Sequence, residues 1–396
     1  INNMINNVIK KTPELPDIGM IREIEKTDMC NIYSERSLRP FENKETLCVI
    51  AAMKMGKTKN LYELIQREYV DTGLHKHSII FLSFRQTFSA NIKEKFSDFT
   101  LYSDIPTGEL RHLRLIVQIE SFHRMALDPN TPIPDLIVID ESELIFEQFN
   151  SGLLKQFKTA WSKFQWYISM AKHVICMDAA MSDRTINILR QLRKDKPIFI
   201  HHNKFQNATD DKYYVTADKP SFYAALYDDL KHGKKIAIAT SSLQEAKILQ
   251  KNISDKFPEA CIGFYSSETS ATVKKSHFGN VDTAWSSYDV LIYTPTVSAG
   301  VSYESKRFDV IYAWFNDMSC NVEVCLQMIG RVRDVKERRY VIGVEVSGGY
   351  LPTTREGIIE SMYRDRQDLF WVSEESFLQF QYTAEGFKKY IEDEYF

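Results

Sequence analysis

From Glu45 onward, apolar residues fall in short runs separated by amphipathic stretches. The runs are Thr46–Ala52, Ser78–Phe84, Arg114–Ile119, Asp135–Asp140, His173–Asp178 and Pro197–His201, and the stretches between them include Lys57–Val70, Gln86–Phe96, Leu153–Phe164 and Ser182–Leu192. Alternation of this kind predicts βαβ units, and hence a mostly parallel sheet with helices on both faces. The pattern then restarts with strand-like runs at Tyr213–Thr216, Lys235–Thr240, Cys261–Tyr265, Val290–Thr294, Val310–Trp314 and Tyr340–Val346. Helical segments are expected at Ser221–Lys231, Leu243–Phe257 and Asn321–Gly330. The polar stretch His202–Lys212 lies between the two sets and reads as a linker. The chain is therefore expected to divide into an N-terminal segment (1–44), a first α/β lobe (45–205), a second (206–346) and a small helical appendage (347–396). In the last, Phe370, Trp371, Phe377, Phe380 and Tyr382 are read as packing residues rather than a base-stacking platform.

Length and composition agree with this division. A chain of 396 residues, 44% apolar and 26% charged, exceeds one ordinary core and suggests two domains. No run approaches a membrane span, and no membrane partner is expected. The polar start Ile1-Asn-Asn resembles neither a signal nor a transit peptide and is read as the beginning of a fragment. Six scattered cysteines (Cys30, Cys48, Cys176, Cys261, Cys320, Cys325) form no Cys-x-x-Cys pair, which argues for reduced thiols in an intracellular compartment and against a zinc ribbon or iron–sulfur cluster. A net charge of −3 gives no global basic footprint, so nucleic acid would have to be gripped in a local channel.

The chemistry begins where the first strand ends. Ala51-Ala-Met-Lys-Met-Gly-Lys-Thr58 follows an apolar run directly and reads as a phosphate-binding loop. Backbone N–H groups of Ala52, Met53, Lys54, Met55, Gly56 and Lys57 would wrap a triphosphate, Lys57 would reach its β/γ oxygens, and the Thr58 hydroxyl would hold Mg²⁺. The first glycine of the usual pattern is Ala51 here, and a Gly-Lys-Thr tripeptide also arises by chance. Asp135-Leu-Ile-Val-Ile-Asp-Glu-Ser-Glu143 is an apolar strand ending in adjacent carboxylates. Asp140 would complete the magnesium site opposite Thr58, and Glu141 would orient and deprotonate the attacking water; an acidic helix N-terminus is the plainer alternative. In the second half, Gln327-Met-Ile-Gly-Arg-Val-Arg333 places Arg331 and Arg333 just beyond a helical segment. Arginines supplied from a second lobe would stabilise charge on a departing γ-phosphate, whereas a basic helix C-terminus explains them without catalysis.

These segments, together with Met177-Asp-Ala-Ala-Met-Ser182 and Thr294-Pro-Thr-Val-Ser-Ala-Gly-Val-Ser302, resemble in order and spacing motifs I, II, III, V and VI of superfamily 2 helicases. The chain is most similar to the helicase module of herpesvirus origin-binding proteins and of large-DNA-virus primase-helicases, over residues 45 to 346. Asp178-Ala-Ala departs from the common Ser-Ala-Thr of motif III. The resemblance implies two tandem RecA-like lobes, ATP and Mg²⁺ as ligands, and Gly300 and Gln327 as further nucleotide contacts. Phe81-Leu-Ser-Phe-Arg85 and Gln118-Ile-Glu-Ser-Phe122 then look like first-lobe contacts to a nucleic-acid backbone through Ser83, Arg85, Gln118 and Ser121. Ser241, Ser242, Thr294 and Thr296 would be their second-lobe counterparts, although ordinary polar loops read the same way.

The implied activity is ATP-driven movement along single-stranded DNA, 3′-to-5′, during viral genome replication, with RNA as the alternative strand. The implied partners are replication proteins or a primase module ahead of residue 1, and the implied location is the host nucleus or a cytoplasmic viral replication site. A duplex translocase without strand separation, a P-loop phosphotransferase and a non-hydrolysing assembly scaffold remain as alternatives.

Overall fold

The computed structural model describes residues 29–32, 38–41, 44–53, 55–70, 77–83, 89, 92–93, 96–149, 154, 156–205, 210–297, 301–345, 354 and 356–357. Two all-parallel sheets carry the fold. The first is built from β1 (Met29–Ile32), β2 (Thr46–Ala51), β3 (Ile79–Ser83), β4 (Thr100–Leu101), β5 (Arg114–Gln118), β6 (Leu136–Asp140), β7 (His173–Asp178) and β8 (Ile198–Asn203), in the order β1-β8-β2-β7-β6-β3-β5-β4. The second contains β9 (Lys212–Thr216), β10 (Ile236–Thr240), β11 (Ile262–Tyr265), β12 (Val290–Tyr293), β13 (Val310–Asn316) and β14 (Arg339–Glu345), in the order β11-β12-β10-β13-β14-β9. Both lie within Glu23–Ser347, which forms one compact unit.

Burial explains why the strands read as unbroken apolar runs. Every residue of β2, β3, β6 and β10 is buried, as expected for parallel strands covered on both faces. Helices α1 (Lys57–Ile65), α2 (Ser142–Gln148), α3 (Phe157–Met170) and α4 (Asp183–Leu192) accompany the first sheet. Helices α5 (Lys219–Lys231), α6 (Leu243–Lys256), α7 (Ala271–Gly279), α8 (Val281–Trp285) and α9 (Val322–Ile329) accompany the second. Arg193, which is 2% exposed, fastens the first lobe at the base of β2. Its guanidinium donates to the Thr46 hydroxyl at 2.6 Å and to the carbonyls of Ile168 at 2.7 Å and Ala171 at 2.9 Å. The last carbonyls of α3, which the helix itself cannot satisfy, thereby hold the start of the strand that leads into the phosphate loop.

Several expected boundaries move. Met29–Ile32, inside the presumed N-terminal segment, is an edge strand whose Met29 lies opposite Ile200 of β8; four residues pairing with a strand far along the chain carry no local signal. The expected linker shrinks at both ends, because β8 continues alongside β2 to Asn203 and β9 already begins at Lys212. The helix expected at Leu153–Phe164 occupies Phe157–Met170. The short elements α2, α7, α8 and β4 were not foreseen, each being too brief to show a period. Most of Gln86–Phe96 and the expected appendage at 347–396, with its aromatic residues, lie outside the described residues.

Gly343 on β14 lies opposite Trp314 on β13, and a Cβ there would collide with the six-membered ring of Trp314. That ring is pinned by an edge contact with Phe222 at 5.0 Å and by its Nε1 donating to Glu345 at 3.1 Å. Gly343→Ala should therefore destabilise the second lobe by about 1–3 kcal/mol, the usual effect of overpacking. Urea unfolding followed by tryptophan fluorescence measures it, and a loss below about 0.5 kcal/mol, the scale of an ordinary surface change, would mean that the ring yields freely.

Candidate nucleotide and nucleic-acid site

The loop after β2 ends at Gly56, whose φ of 77° and ψ of 22° place it in the left-handed region that glycine tolerates best. Gly56 is the N-cap of α1 and no side chain caps that end, so the first-turn N–H groups are available to an anion. The Lys57 ammonium folds back onto the end of β2, donating to the carbonyl of Ala51 at 2.7 Å and reaching that of Ala52 at 3.5 Å. Met55 is buried, whereas Ala52 is exposed and Met53 half-buried. Lys54 lies outside the described residues.

Sheet register brings the carboxylates to this loop. Ile50 of β2 pairs with Asp178 of β7, and Met177 pairs with Asp140 of β6, so three strand ends stand level. The Thr58 hydroxyl and the Asp140 carboxylate face one another at 3.5 Å. Two hard oxygen donors so placed, one of them a buried carboxylate, suit Mg²⁺. Glu141 follows in a left-handed conformation, φ 59° and ψ 57°, which costs a non-glycine residue about 1–3 kcal/mol. Its N–H donates to Asp140 Oδ1 at 3.2 Å. Glu143 turns the other way, accepting from the Ser182 N–H and hydroxyl at 2.8 Å each, from Thr185 at 2.6 Å and from Arg184 at 2.8 Å. Asp178 accepts from the N–H groups of Glu143 and Ala180, each at 2.9 Å.

The second lobe approaches through α9. The Tyr293 hydroxyl ties this helix to the sheet by donating to the Met328 carbonyl at 2.9 Å. Asn321 caps the helix, accepting from the Val324 N–H at 2.9 Å, and its amide also donates to Glu147 of the first lobe at 3.1 Å. One turn on, Gln327 donates to Glu141 at 3.1 Å and to Glu323 at 3.5 Å. Gly330 is a close-approach position, since a Cβ there would sit 3.2 Å from the Met53 sulfur of the phosphate loop. Arg331 donates to the Val301 carbonyl at 3.3 Å, and its charge, with that of Lys57, acts on Glu141. Arg333 is instead paired with Glu304 at 3.3 Å. Lys57, Thr58, Asp140, Glu141, Gln327 and Arg331 thus surround one cleft, Arg333 is engaged outside it, and Gly300 lies outside the described residues.

Negative charge accumulates here. Burial, and then the Asp140 carboxylate, raise the Glu141 carboxyl, opposed by Lys57 and Arg331. Burial, and then Glu141, raise Asp178. Glu323 is pushed up to about 8 by burial and by the Asp178, Glu141, Glu143 and Glu147 carboxylates. One oxygen from each of Glu141, Asp178 and Glu323 lies within 4.8 Å of the others. The sequence reading passed over Glu323 and Asn321; the four-residue spacing of Glu323 and Gln327, which sets both on one helix face, was the available signal. It also gave no role to Glu143 beyond its place in the acidic box, nor to Ser182.

The expected strand contacts lie at the carboxyl ends of β3, β5, β10 and β12. Ser83 is buried, its hydroxyl 2.6 Å from that of Ser89, and the buried Gln118 side chain accepts from the Tyr102 hydroxyl. Ser241 exchanges hydrogen bonds with Asn316, receiving its N–H at 3.0 Å, and Ser242 caps α6 by accepting from the Glu245 N–H at 3.3 Å. Thr294 is buried, while Ser121 and Thr296 are half-buried in short 3₁₀ turns. Arg85 lies outside the described residues.

Residues 36–210 and 203–353 match the family described as origin of replication binding protein. A protein of African swine fever virus, whose name assigns it provisionally to a helicase/primase complex, is 45% identical over 96% of this chain, which spans 36% of that protein. The replication origin-binding protein of human herpesvirus 6A is 29% identical over 80% of the chain, which spans 40% of it. The chain thus spans little more than a third of these viral relatives. Among solved structures, Mss116p bound to single-stranded RNA and AMP-PNP superposes with a TM-score of 0.55 at 11% identity, over 89% of this chain and 79% of that one. Mycobacterium smegmatis Lhr helicase bound to single-stranded DNA and AMP-PNP gives 0.52 at 13% identity, over 81% of this chain and 45% of that one. At such identities the likeness establishes the fold, two RecA-like lobes in tandem.

The Glu323 carboxyl, ordinarily near 4.5, holds its proton up to about 8 when the lobes meet as described. Between those values closing takes up a proton, so rising pH opposes closure and the effect levels off above about 8. In the absence of nucleotide, energy transfer between dyes on the two lobes should fall from pH 6 to pH 9, and Glu323→Gln should flatten the profile. An unchanged slope in that variant would assign the dependence to another group.

Proposed function

The chain belongs to the origin of replication binding protein family, and we propose that it is the nucleotide-driven motor of such a protein, hydrolysing ATP to move along single-stranded DNA in viral genome replication. The Gln327–Glu141 hydrogen bond carries the proposal, because a second-lobe side chain there holds the first-lobe carboxylate best placed to act on water. In this reading the triphosphate lies over the N-terminus of α1, and Lys57 exchanges the carbonyls of Ala51 and Ala52 for phosphate oxygens. Mg²⁺ held by Thr58 and Asp140 would supply charge neutralisation between the phosphates.

Glu141 accepts a proton from the water whose oxygen attacks the γ-phosphorus, and the bond from that phosphorus to the β–γ bridging oxygen breaks. Lys57 and Arg331 favour the ionised form of Glu141 that this step requires. Gln327 fixes the carboxylate's direction, so the water is oriented only while the lobes are together. Loss of the γ-phosphate would then release α9 from the loop, and reopening would shift the second lobe along the strand. Loop N–H groups at the carboxyl ends of β3, β5, β10 and β12, with Ser121 and Thr296, are the proposed backbone contacts. Such contacts read no sequence.

Lys57→Ala should abolish turnover with the fold intact, and Glu141→Gln should keep nucleotide binding while losing hydrolysis; equal loss of nucleotide affinity in both variants would remove Glu141 from the role given to it. Arg331→Ala should lower turnover by about three to five orders of magnitude, the range of arginine fingers elsewhere. Arg333→Ala should have a smaller effect, since this side chain must first leave Glu304. Steady-state ATPase rates with and without an oligo-dT strand test all four variants, and a fully active Arg331→Ala would defeat the two-lobe mechanism.

A further inference from the structure

The sheet of the second lobe has two edges of opposite character. At its carboxyl edge, Thr240, Tyr293 and Asn316 end β10, β12 and β13 and lead into the proposed strand contacts. At its amino edge, where β12, β10, β13 and β14 lie side by side, there is a cleft of about 350 Å³. Lys235, just before β10, Arg307, before β13, and Lys336, before β14, line it together with the exposed Lys306.

Two carboxylates pair directly with three of these four cations. Asp289 takes both Lys235, at 2.6 Å, and Arg307, at 3.4 Å, while Asp309 takes Lys336 at 2.9 Å. No hydrogen bond or ion pair binds the Lys306 ammonium among the described residues. Two further carboxylates border this segment. Asp282 accepts from the N–H groups of Glu304 and Ser305 and from the Ser305 hydroxyl, at 2.7–3.0 Å, and Glu304 pairs with Arg333. The donors to Asp282 are neutral, so with Arg333 counted five cations face four carboxylates, and the surplus of positive charge is the one that Lys306 brings beside the hydroxyl-bearing Ser286 and Ser305. A concave surface of this size lined by clustered cations suits a phosphate group, which several ammonium and guanidinium donors can share.

We propose that this cleft binds a phosphate of a nucleic-acid segment lying off the tracked strand, such as the duplex arm of a fork. The five residues of β10 separate the two edges by roughly 17 Å at 3.3 Å per residue, about five nucleotides along a stacked strand. The nucleotides held at the carboxyl edge therefore cannot also reach the cleft. The identity of the ligand rests on the strand-handling reading above, whereas the cleft itself does not.

The test uses the whole chain carrying Lys306→Glu or Lys306→Arg. Fluorescence anisotropy follows a two-tailed forked duplex and an oligo-dT strand over a salt series. Lys306→Glu should weaken fork binding about tenfold at low salt and reduce the slope of log affinity against log salt by about 0.9, the contribution of one duplex phosphate contact. Binding of oligo-dT should stay unchanged, and Lys306→Arg should behave as the native chain. If the native chain binds both DNAs and Lys306→Glu binds the fork as tightly, or loses both equally, the cleft proposal alone is overturned. If the native chain binds neither DNA, the strand-handling reading fails with it. Thermal stabilisation of the native chain but not of Lys306→Glu by millimolar inorganic phosphate, with fork binding unaltered, would make the ligand a free anion and overturn the nucleic-acid assignment.

Discussion

The hydrogen bond from Gln327 to Glu141 joins the second lobe to the first just beyond the carboxyl end of β6, and it does so against electrostatic resistance. Glu323 of the second lobe meets Glu141, Glu143, Glu147 and Asp178 of the first, and burial of Glu323 strengthens their repulsion. Amide donors from α9 offset part of this, Gln327 on Glu141 and Asn321 on Glu147. Lys57 and Arg331 offset more, one from each lobe. The junction is thus balanced between like-charge repulsion and a few directional donors.

Within the first lobe the acidic box divides its work by backbone geometry. Asp140 ends a strand and stays with Thr58, Glu143 lies in the first turn of α2 and is held by four donors from the Ser182–Thr185 segment, and Glu141 lies between them. A left-handed turn at Glu141, between the end of β6 and the start of α2, sets its backbone apart from that of its two neighbours. Asp178 closes the arrangement by accepting the N–H of Glu143. The residue that looked like a departure from the family pattern is a buried part of the same network.

Legibility in the sequence followed the range of the interaction. The strands carrying the site were readable to within a residue or two, because parallel burial forces continuous apolar runs, and the loop from Ala51 to Thr58 was readable because its chemistry is contiguous. Met29–Ile32 was not, since its partner lies in β8. Neither was the fold-back of Lys57 onto Ala51. Ser83, Gln118 and Ser242 were recognised as polar residues at strand ends, but residue type cannot distinguish an outward hydroxyl from one that shapes its own loop. Arg331 and Arg333 look equivalent in sequence. They diverge in their partners, Arg331 reaching the Val301 carbonyl and Arg333 pairing with Glu304.

That internal use of hydroxyls bears on how a strand would be held. With Ser83, Gln118, Ser241 and Ser242 engaged inside their lobes, the described residues at the carboxyl edges offer mainly backbone N–H groups and a few half-buried hydroxyls, which are neutral donors. Contacts of this kind position a phosphate without the counterion release that makes cationic surfaces hold tightly at low salt. In the proposed cycle a neutral track would let each lobe release and regrasp with small changes in energy. Cations gathered at the opposite edge of the second sheet would then act as a fixed grip rather than a moving one. Placing the tight contact away from the track keeps it from slowing the step.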